Sequence, residues 1–241
     1  MKSLGLKLET RLFKSGYSVV VGCDEVGRGA LAGPVVAGAV AWKPESRIKS
    51  SWTLRGPETL EGNQELSKIQ DSKLLSERQR EELEIHIKHN ALAWGVGVVG
   101  SGVIDKINIH QANLLAMERA VKNLITKLSN VAETDKKLKH RENIYLLIDG
   151  KFVLPKWSGE QTAVVDGDAK IFSIASASII AKVYRDRLMM KLDKKFPGYE
   201  LASHKGYGTS AHRKAIVKKG MSKIHRKTFC GNIDVWRSKT V

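Results

Sequence analysis

Two apolar runs in this chain end on carboxylates, and no other feature constrains its fold as tightly. Tyr17 to Gly22 is rich in β-branched residues and gives way to Asp24-Glu25 just before the small-residue turn Gly27-Arg28-Gly29, while Ile144 to Ile148 ends at Asp149-Gly150. Short Val- and Ile-rich runs bounded by glycine read as buried strands. Taken singly, each acid is more often an ordinary cap or turn former. Acids that end several strands, however, converge at one edge of a sheet.

The rest of the chain fills in a mixed sheet covered by helices. Leu31 to Trp42 is predicted to pair with the first strand as a hairpin, and Ala91 to Gly100 reads as a third strand. Gly95-Val-Gly97-Val-Val-Gly100 matches a dinucleotide-binding pattern, but it lies inside that apolar run instead of in a turn between strand and helix, so it belongs to the strand. Gly150-Lys151 is followed by Phe152 where a phosphate loop needs Ser or Thr, which removes the main support for nucleoside-triphosphate hydrolysis. Helices are predicted from Ser76, as N-cap, to about His89, from Asn108 to Leu128 and from Ile171 to Phe196. In the last of these, Ala175-Ser176-Ala177-Ser178 is small enough to pack closely on a sheet. Trp42 to Lys68 reads as a long surface loop, and Ser129 to Glu142 as a second, polar excursion.

Composition bounds the class. With 241 residues and 42% hydrophobic side chains there is enough chain for one cored domain, and 27% charged residues keep it outside the membrane class. The longest apolar run, Ala30 to Trp42, is too short to span a bilayer, and Met1 to Gly16 lacks the apolar stretch of a signal peptide. Cys23 and Cys230 are too few and too far apart for a disulfide framework or a zinc site, so a reducing, cytoplasmic setting is expected. The formal charge is +16, and Ser203 to Val241 holds ten Lys or Arg against the single acid Asp234. Nucleic acid is the leading partner for such a surface, ahead of a merely solubilising role. His204, His212 and His225 fit the same surface, and their spacing forms no local cluster for a metal.

A third acidic set, Asp166-Gly167-Asp168, precedes the long helix, where a carboxylate can simply cap it. Carboxylates gathered from all these positions repel one another unless cations lie among them. Hard oxygen ligands suit Mg²⁺ or Mn²⁺, and paired ions about 3.5 to 4 Å apart suit in-line hydrolysis of a phosphodiester.

Several further segments occur in order: Asp24-Glu25-Val26-Gly27-Arg28-Gly29, Asp71-Ser72-Lys73, Ile107-Asn108-Ile109 with Gln111-Ala112, Ala177-Ser178-Ile179-Ile180-Ala181-Lys182-Val183 with Arg185-Asp186, and His204-Lys205-Gly206-Tyr207. Together they resemble type 2 ribonuclease H (ribonuclease HII), over about Val19 to Phe229. The two polar excursions are longer than that family's usual connections and carry none of these motifs.

The resemblance implies an α/β ribonuclease H-like fold, a five-stranded mixed sheet flanked by helices with a C-terminal helical segment, in which a catalytic core covers residues 1–205 and a basic C-terminal segment, 206–241, packs on it as part of one domain. It implies a monomeric endonuclease that cuts the RNA strand of an RNA–DNA hybrid and cuts 5′ of a single ribonucleotide embedded in duplex DNA, leaving 3′-hydroxyl and 5′-phosphate ends. By motif position Asp24, Glu25 and Asp149 are ligands of two Mg²⁺ or Mn²⁺ ions. Asp168 is taken as the fourth because it precedes Ser178 in the family's register, with Asp166 and Asp186 as bystanders and Asp186 paired to Lys182, Arg185 or Arg187. Gly27, Arg28 and Gly29 read the ribonucleotide, Ser72 and Lys73 hold the phosphate backbone, and Tyr207 packs on the following deoxyribose. Two alternatives stand beside this reading: the type 3 relative, which usually lacks the arginine of the Gly-Arg-Gly turn, and a non-catalytic basic nucleic-acid-binding protein.

Overall fold

The computed structural model describes residues 4, 6–43, 65–132, 143–231 and 236. Its centre is a five-stranded sheet in the order β3-β2-β1-β4-β5, formed by β1 (Val19–Val26), β2 (Val35–Trp42), β3 (Ala93–Val99), β4 (Ile144–Asp149) and β5 (Gln161–Val164). β2 runs antiparallel to β1 and β3, whereas β4 runs parallel to β1 and β5 parallel to β4. The expected hairpin of the first two strands is therefore present. β1 runs through Asp24 and Glu25 instead of stopping before them. Residues 44–64 and 133–142, which hold most of the two predicted excursions, lie outside the described residues.

Strand alternation divides the core. Val19, Val21 and Cys23 of β1, with Val35, Ala37 and Ala39 of β2, pack against α3 (Ser101–Ala132) through Ala116, Met117, Ala120 and Leu124. Val40 and Trp42, on the opposite face, pack with α4 (Phe172–Lys195) and α2 (Glu77–Asn90). A residue on β1 with an even number thus faces α4 and one with an odd number faces α3. Asp24 and Glu25 are consequently directed to different helices.

Both helices come unusually close to the sheet, and glycine is the reason. A Cβ at Gly95 or Gly97 would collide with the carbonyl oxygens of Ala120 and Ala116 in α3, and one at Gly38 with that of Ala177 in α4. The Gly-x-Gly pattern of β3 is a packing surface within a strand.

Several elements depart from the sequence-based expectation. The predicted strand from Leu31 starts only at Val35, because Gly33 turns to φ 82° and Pro34 has no N–H to give the ladder. Ala30 and Ala32 instead form single bridges to Tyr207 and His225. α3 begins at Ser101, and Asn108 marks a break inside it (φ 62°, ψ 166°) where its side chain accepts the Gln111 N–H at 3.1 Å. That helix also runs past Leu128 to Ala132, so the start of the predicted second excursion is helical. Ser76 caps α2 through a reciprocal pair of bonds with Gln79. The carboxylate at the head of α4 is Glu9, whose buried side chain accepts the Ser173 N–H at 2.9 Å. Glu9 comes from α1 (Lys7–Lys14), which was not predicted, and neither was the edge strand β5. Two short helices, α5 (Leu201–His204) and α6 (Ser210–Lys219), follow α4. Among the described residues, no helix is long and apolar enough to cross a membrane.

Candidate active site

The parallel register of β1 and β4 ends at Cys23 opposite Ile148, so the next residues, Asp24 and Asp149, emerge side by side. Glu25 follows on the other face of β1. Ligand-capable oxygens of Asp24, Glu25 and Asp149 all lie within 4.8 Å of one another. Asp24 is only 4% exposed, and its Oδ1 accepts the Glu25 N–H at 2.7 Å. Burial, and then repulsion from Glu25 and Asp149, pushes its carboxyl well above the usual carboxylate range, against a hydrogen bond donated by Ser178 of α4. Burial also raises Glu25, opposed by Arg28, whose Nη1 is 3.2 Å from Oε1, and by a hydrogen bond from Asn113 of α3. Asp149 is raised by burial as well, while the Gly167 N–H, 2.7 Å from its Oδ1, favours its charged form.

Asp166 and Asp168 separate clearly. Asp166 sits in the left-handed region (φ 53°), is exposed, and among the described residues forms an ion pair only with Lys170, at 3.7 Å. Asp168 is 6% exposed and turned toward the cluster, and its charge raises both Asp24 and Asp149. Its Oδ2 accepts a bond from Lys73 Nζ at 2.9 Å, which holds the Lys73 ammonium above its ordinary pKa. Asp186 is bound to Lys182 at 2.7 Å, as expected, and also lies 3.6 Å from Arg80.

Asp71 shapes the turn that presents Lys73, accepting the Lys73 N–H at 2.9 Å. Ser72 is buried there with its hydroxyl 2.9 Å from that of Ser178. The same Ser178 hydrogen-bonds Asp24, so Ser72 connects to the cluster from behind while Lys73 faces it.

The Gly27-Arg28-Gly29 turn is fixed from below. Gly27 has φ 90°, and a Cβ there would run into the Arg185 guanidinium; at Gly29 a Cβ would meet nothing within 4 Å. The first glycine serves packing, whereas the second opens the turn to whatever approaches. Arg226, completely buried, donates to the carbonyls of Gly27 (2.7 Å), Arg28 (2.7 Å) and Gly33 (3.0 Å). Burial, and then the charge of Arg185, lowers its pKa to about 10, which still leaves it charged at neutral pH. Arg185 donates to Pro34 O at 3.0 Å and lies 5.2 Å from the Tyr207 ring centroid, within cation–π reach, while its Nη1 has no partner.

Sequence reasoning gave no site role to Asn113, Ser178, Arg185 or Arg226. Asn113 and Ser178 had a legible signal, being polar residues at core-facing helical positions, the first just after Gln111-Ala112 and the second inside the Ala177 to Val183 motif. Arg226 had none. The histidines require a correction: His212 and His225 are buried, not part of the basic surface, and the fold does cluster them with His204 despite their spacing. Every ring nitrogen in the group has a protein partner.

Comparison with known proteins agrees with this geometry. Residues 21–232 match the family model for ribonuclease HII. A ribonuclease HII of Dehalococcoides mccartyi is 45% identical over 221 residues, 92% of this chain and 90% of the relative. Among solved structures, ribonuclease H2 from Pyrococcus horikoshii OT3 aligns with TM-score 0.61 at 24% identity, covering 91% of this chain and 99% of that one. Bst-RNase HIII in complex with Mn²⁺ aligns with TM-score 0.63 at 16% identity, covering 95% and 72%. These last two likenesses bear on the fold alone, whereas the family match and the 45% identity bear on descent. The chain belongs to the ribonuclease HII family, a family of metal-dependent endoribonucleases.

Proposed function

We propose that this protein cuts the RNA strand of RNA–DNA hybrids and cuts 5′ of single ribonucleotides embedded in duplex DNA, with Asp24, Glu25, Asp149 and Asp168 holding two Mg²⁺ or Mn²⁺ ions. The observation that carries this reading is the gathering of three carboxylates, one buried and two half-buried, within 4.8 Å. Among the described residues no Lys or Arg forms an ion pair with Asp24 or Asp149, and burial first, then repulsion from neighbouring acids, raises both carboxyls. Such a donor set of hard oxygens fits a small divalent cation. When bound, the ions supply Lewis acidity that makes water nucleophilic near neutral pH and neutralise charge on the departing 3′-oxygen.

The chain's own residues do the rest. Ser178 and Asn113 fix the rotamers of Asp24 and Glu25 from opposite faces of β1, and the Gly167 N–H fixes Asp149. Lys73 brings a positive charge to Asp168 and to the phosphate backbone, with Ser72 supporting its loop. Gly29 lets main chain approach a ribose 2′-hydroxyl, which can both donate and accept, and Arg28 contacts the adjacent phosphate. Tyr207 packs on the deoxyribose that follows. The enzyme is a cytoplasmic monomer in this reading, with residues 206–241 part of the same domain.

Duplex DNA carrying one ribonucleotide, incubated with Mg²⁺ and in parallel with Mn²⁺, tests the proposal. Cleavage 5′ of the ribonucleotide is expected, with 3′-hydroxyl and 5′-phosphate ends, and Ca²⁺ should suppress it because it prefers more ligands at longer distances. Full turnover in excess chelator would overturn the metal mechanism.

A further inference from the structure

The three clustered histidines form a chain of hydrogen bonds whose direction follows from its two ends. The Ser222 N–H, which can only donate, points at His225 Nδ1 at 3.0 Å, so that nitrogen carries no proton and the neutral ring carries one on Nε2. That proton faces His212 Nε2 at 3.2 Å, which must accept it. His212 therefore holds its own proton on Nδ1 and donates it to the Tyr207 carbonyl at 2.9 Å. The order Ser222, His225, His212, Tyr207 uses both rings in the neutral state. Burial keeps them so: it lowers His225 and pushes His212 down to about 4. His204 stacks on His212 with centroids 4.2 Å apart, donating to Tyr199 O and accepting the Gly206 N–H.

Two members of this chain also meet the segment after the Gly27-Arg28-Gly29 turn, which Gly206, Ile224 and Arg226 hold through main-chain bonds as well. Tyr207 bridges Ala30, and His225 bridges Ala32. Ala30 and Ala32, the two bridges and the histidine pair thus make a closed circuit. Opening it at His212 removes the side-chain bond on the Tyr207 carbonyl and leaves that oxygen only the Thr209 N–H at 2.8 Å among the described residues.

We propose that His212, backed by His225, is a positioning pair for Tyr207 that sets its place against the Gly27-Arg28-Gly29 turn and so sharpens the preference for an embedded ribonucleotide over a continuous hybrid. The inference rests on the reading of Tyr207 given above. His212 touches no substrate in it and acts only through the Tyr207 main chain.

The test is the ratio of kcat/KM on a single-ribonucleotide duplex to kcat/KM on a continuous RNA–DNA hybrid, measured with melting temperature for wild type, His212→Ala, His212→Asn and Tyr207→Ala. His212→Ala is expected to lower the ratio by about tenfold, and Tyr207→Ala by at least as much. His212→Asn places an amide N–H where Nδ1–H was, keeps the bond to the Tyr207 carbonyl, and is expected to restore the ratio to within about threefold of wild type. If His212→Ala folds poorly, His225→Asn makes a milder break: its Oδ1 still accepts the Ser222 N–H while the proton offered to His212 is gone, and the ratio should fall in the same direction. Equal loss on both substrates, or an asparagine variant as impaired as the alanine one, would reduce His212 to a structural residue and overturn the inference. A ratio lost in Tyr207→Ala but intact in His212→Ala refutes the positioning pair and leaves the Tyr207 reading standing. A ratio intact in Tyr207→Ala refutes both.

Discussion

The carboxylate end of the sheet and the underside of the turn beside it both draw charged groups out of water, yet they are satisfied on opposite terms. At Asp24, Glu25 and Asp149, like charges face one another, and all three carboxyls sit above their ordinary range. Under the turn, Arg226 buries a guanidinium with no acid in ion-pair reach among the described residues, but three carbonyls take up its donors. The histidine pair nearby is neutral and linked end to end. One region has the donors of Arg226 and the ring nitrogens of the histidines taken up by its own chain before any ligand arrives. The other keeps a net negative charge that its own chain offsets only in part, through Arg28, Asn113, Ser178 and the Gly167 N–H.

Substitutions that exchange these characters should behave oppositely. The largest effect is expected at the acids: Asp24→Asn or Asp149→Asn should lower cleavage by roughly a thousandfold or more. Because each also removes a repelling charge, the metal-free melting temperature should hold or rise by about 2 to 4 °C per kcal/mol relieved. A melting temperature that collapses along with activity would mean the acids are structural. Next comes Arg226→Met, which keeps the bulk but strands three buried carbonyls. Its cost is expected to be about 3 kcal/mol, or a drop of about 6 to 12 °C in Tm, read by thermal unfolding. Unchanged stability would show that the turn does not depend on that guanidinium. The smallest effect is expected for Lys73→Ala: about tenfold weaker binding of a hybrid at low salt, with the slope of log affinity against log salt reduced by about 1. A slope equal to that of wild type would remove Lys73 from the phosphate contacts.

The two regions also differed in how far the sequence disclosed them. Asp24, Glu25 and Asp149 were legible because strand alternation and an acid at a strand end are local signals, and the parallel register of β1 and β4 then brings them together. What holds them was not legible in the same way: Ser178 and Asn113 come from α4 and α3, and their orientation depends on which face of β1 each acid occupies. Arg226 reaches Gly27 across 199 positions of chain, which no periodicity encodes. The histidines were misjudged for a related reason, since sequence spacing measures only local clusters and the bridges of Ala30 and Ala32 create a distant one. β5 escaped notice because four residues at a sheet edge, three half-buried and one exposed, leave too short a pattern. α1 is a mostly polar helix whose important contact is a single buried glutamate.

The acidic cluster is read here as a cation site, and its protonation makes that testable. Its carboxyls are raised, so between the ordinary carboxylate range and those raised values the folded chain holds more protons than the unfolded one, and metal-free stability falls as pH rises. Divalent cations replace those protons and should recover most where the protons are gone. Thermal unfolding with and without Mn²⁺, at about pH 5.5 and about pH 8, measures this directly. The account predicts that Mn²⁺ raises Tm at both values and by more at the higher one; no rise at the higher pH, or one no larger than at the lower, would contradict it.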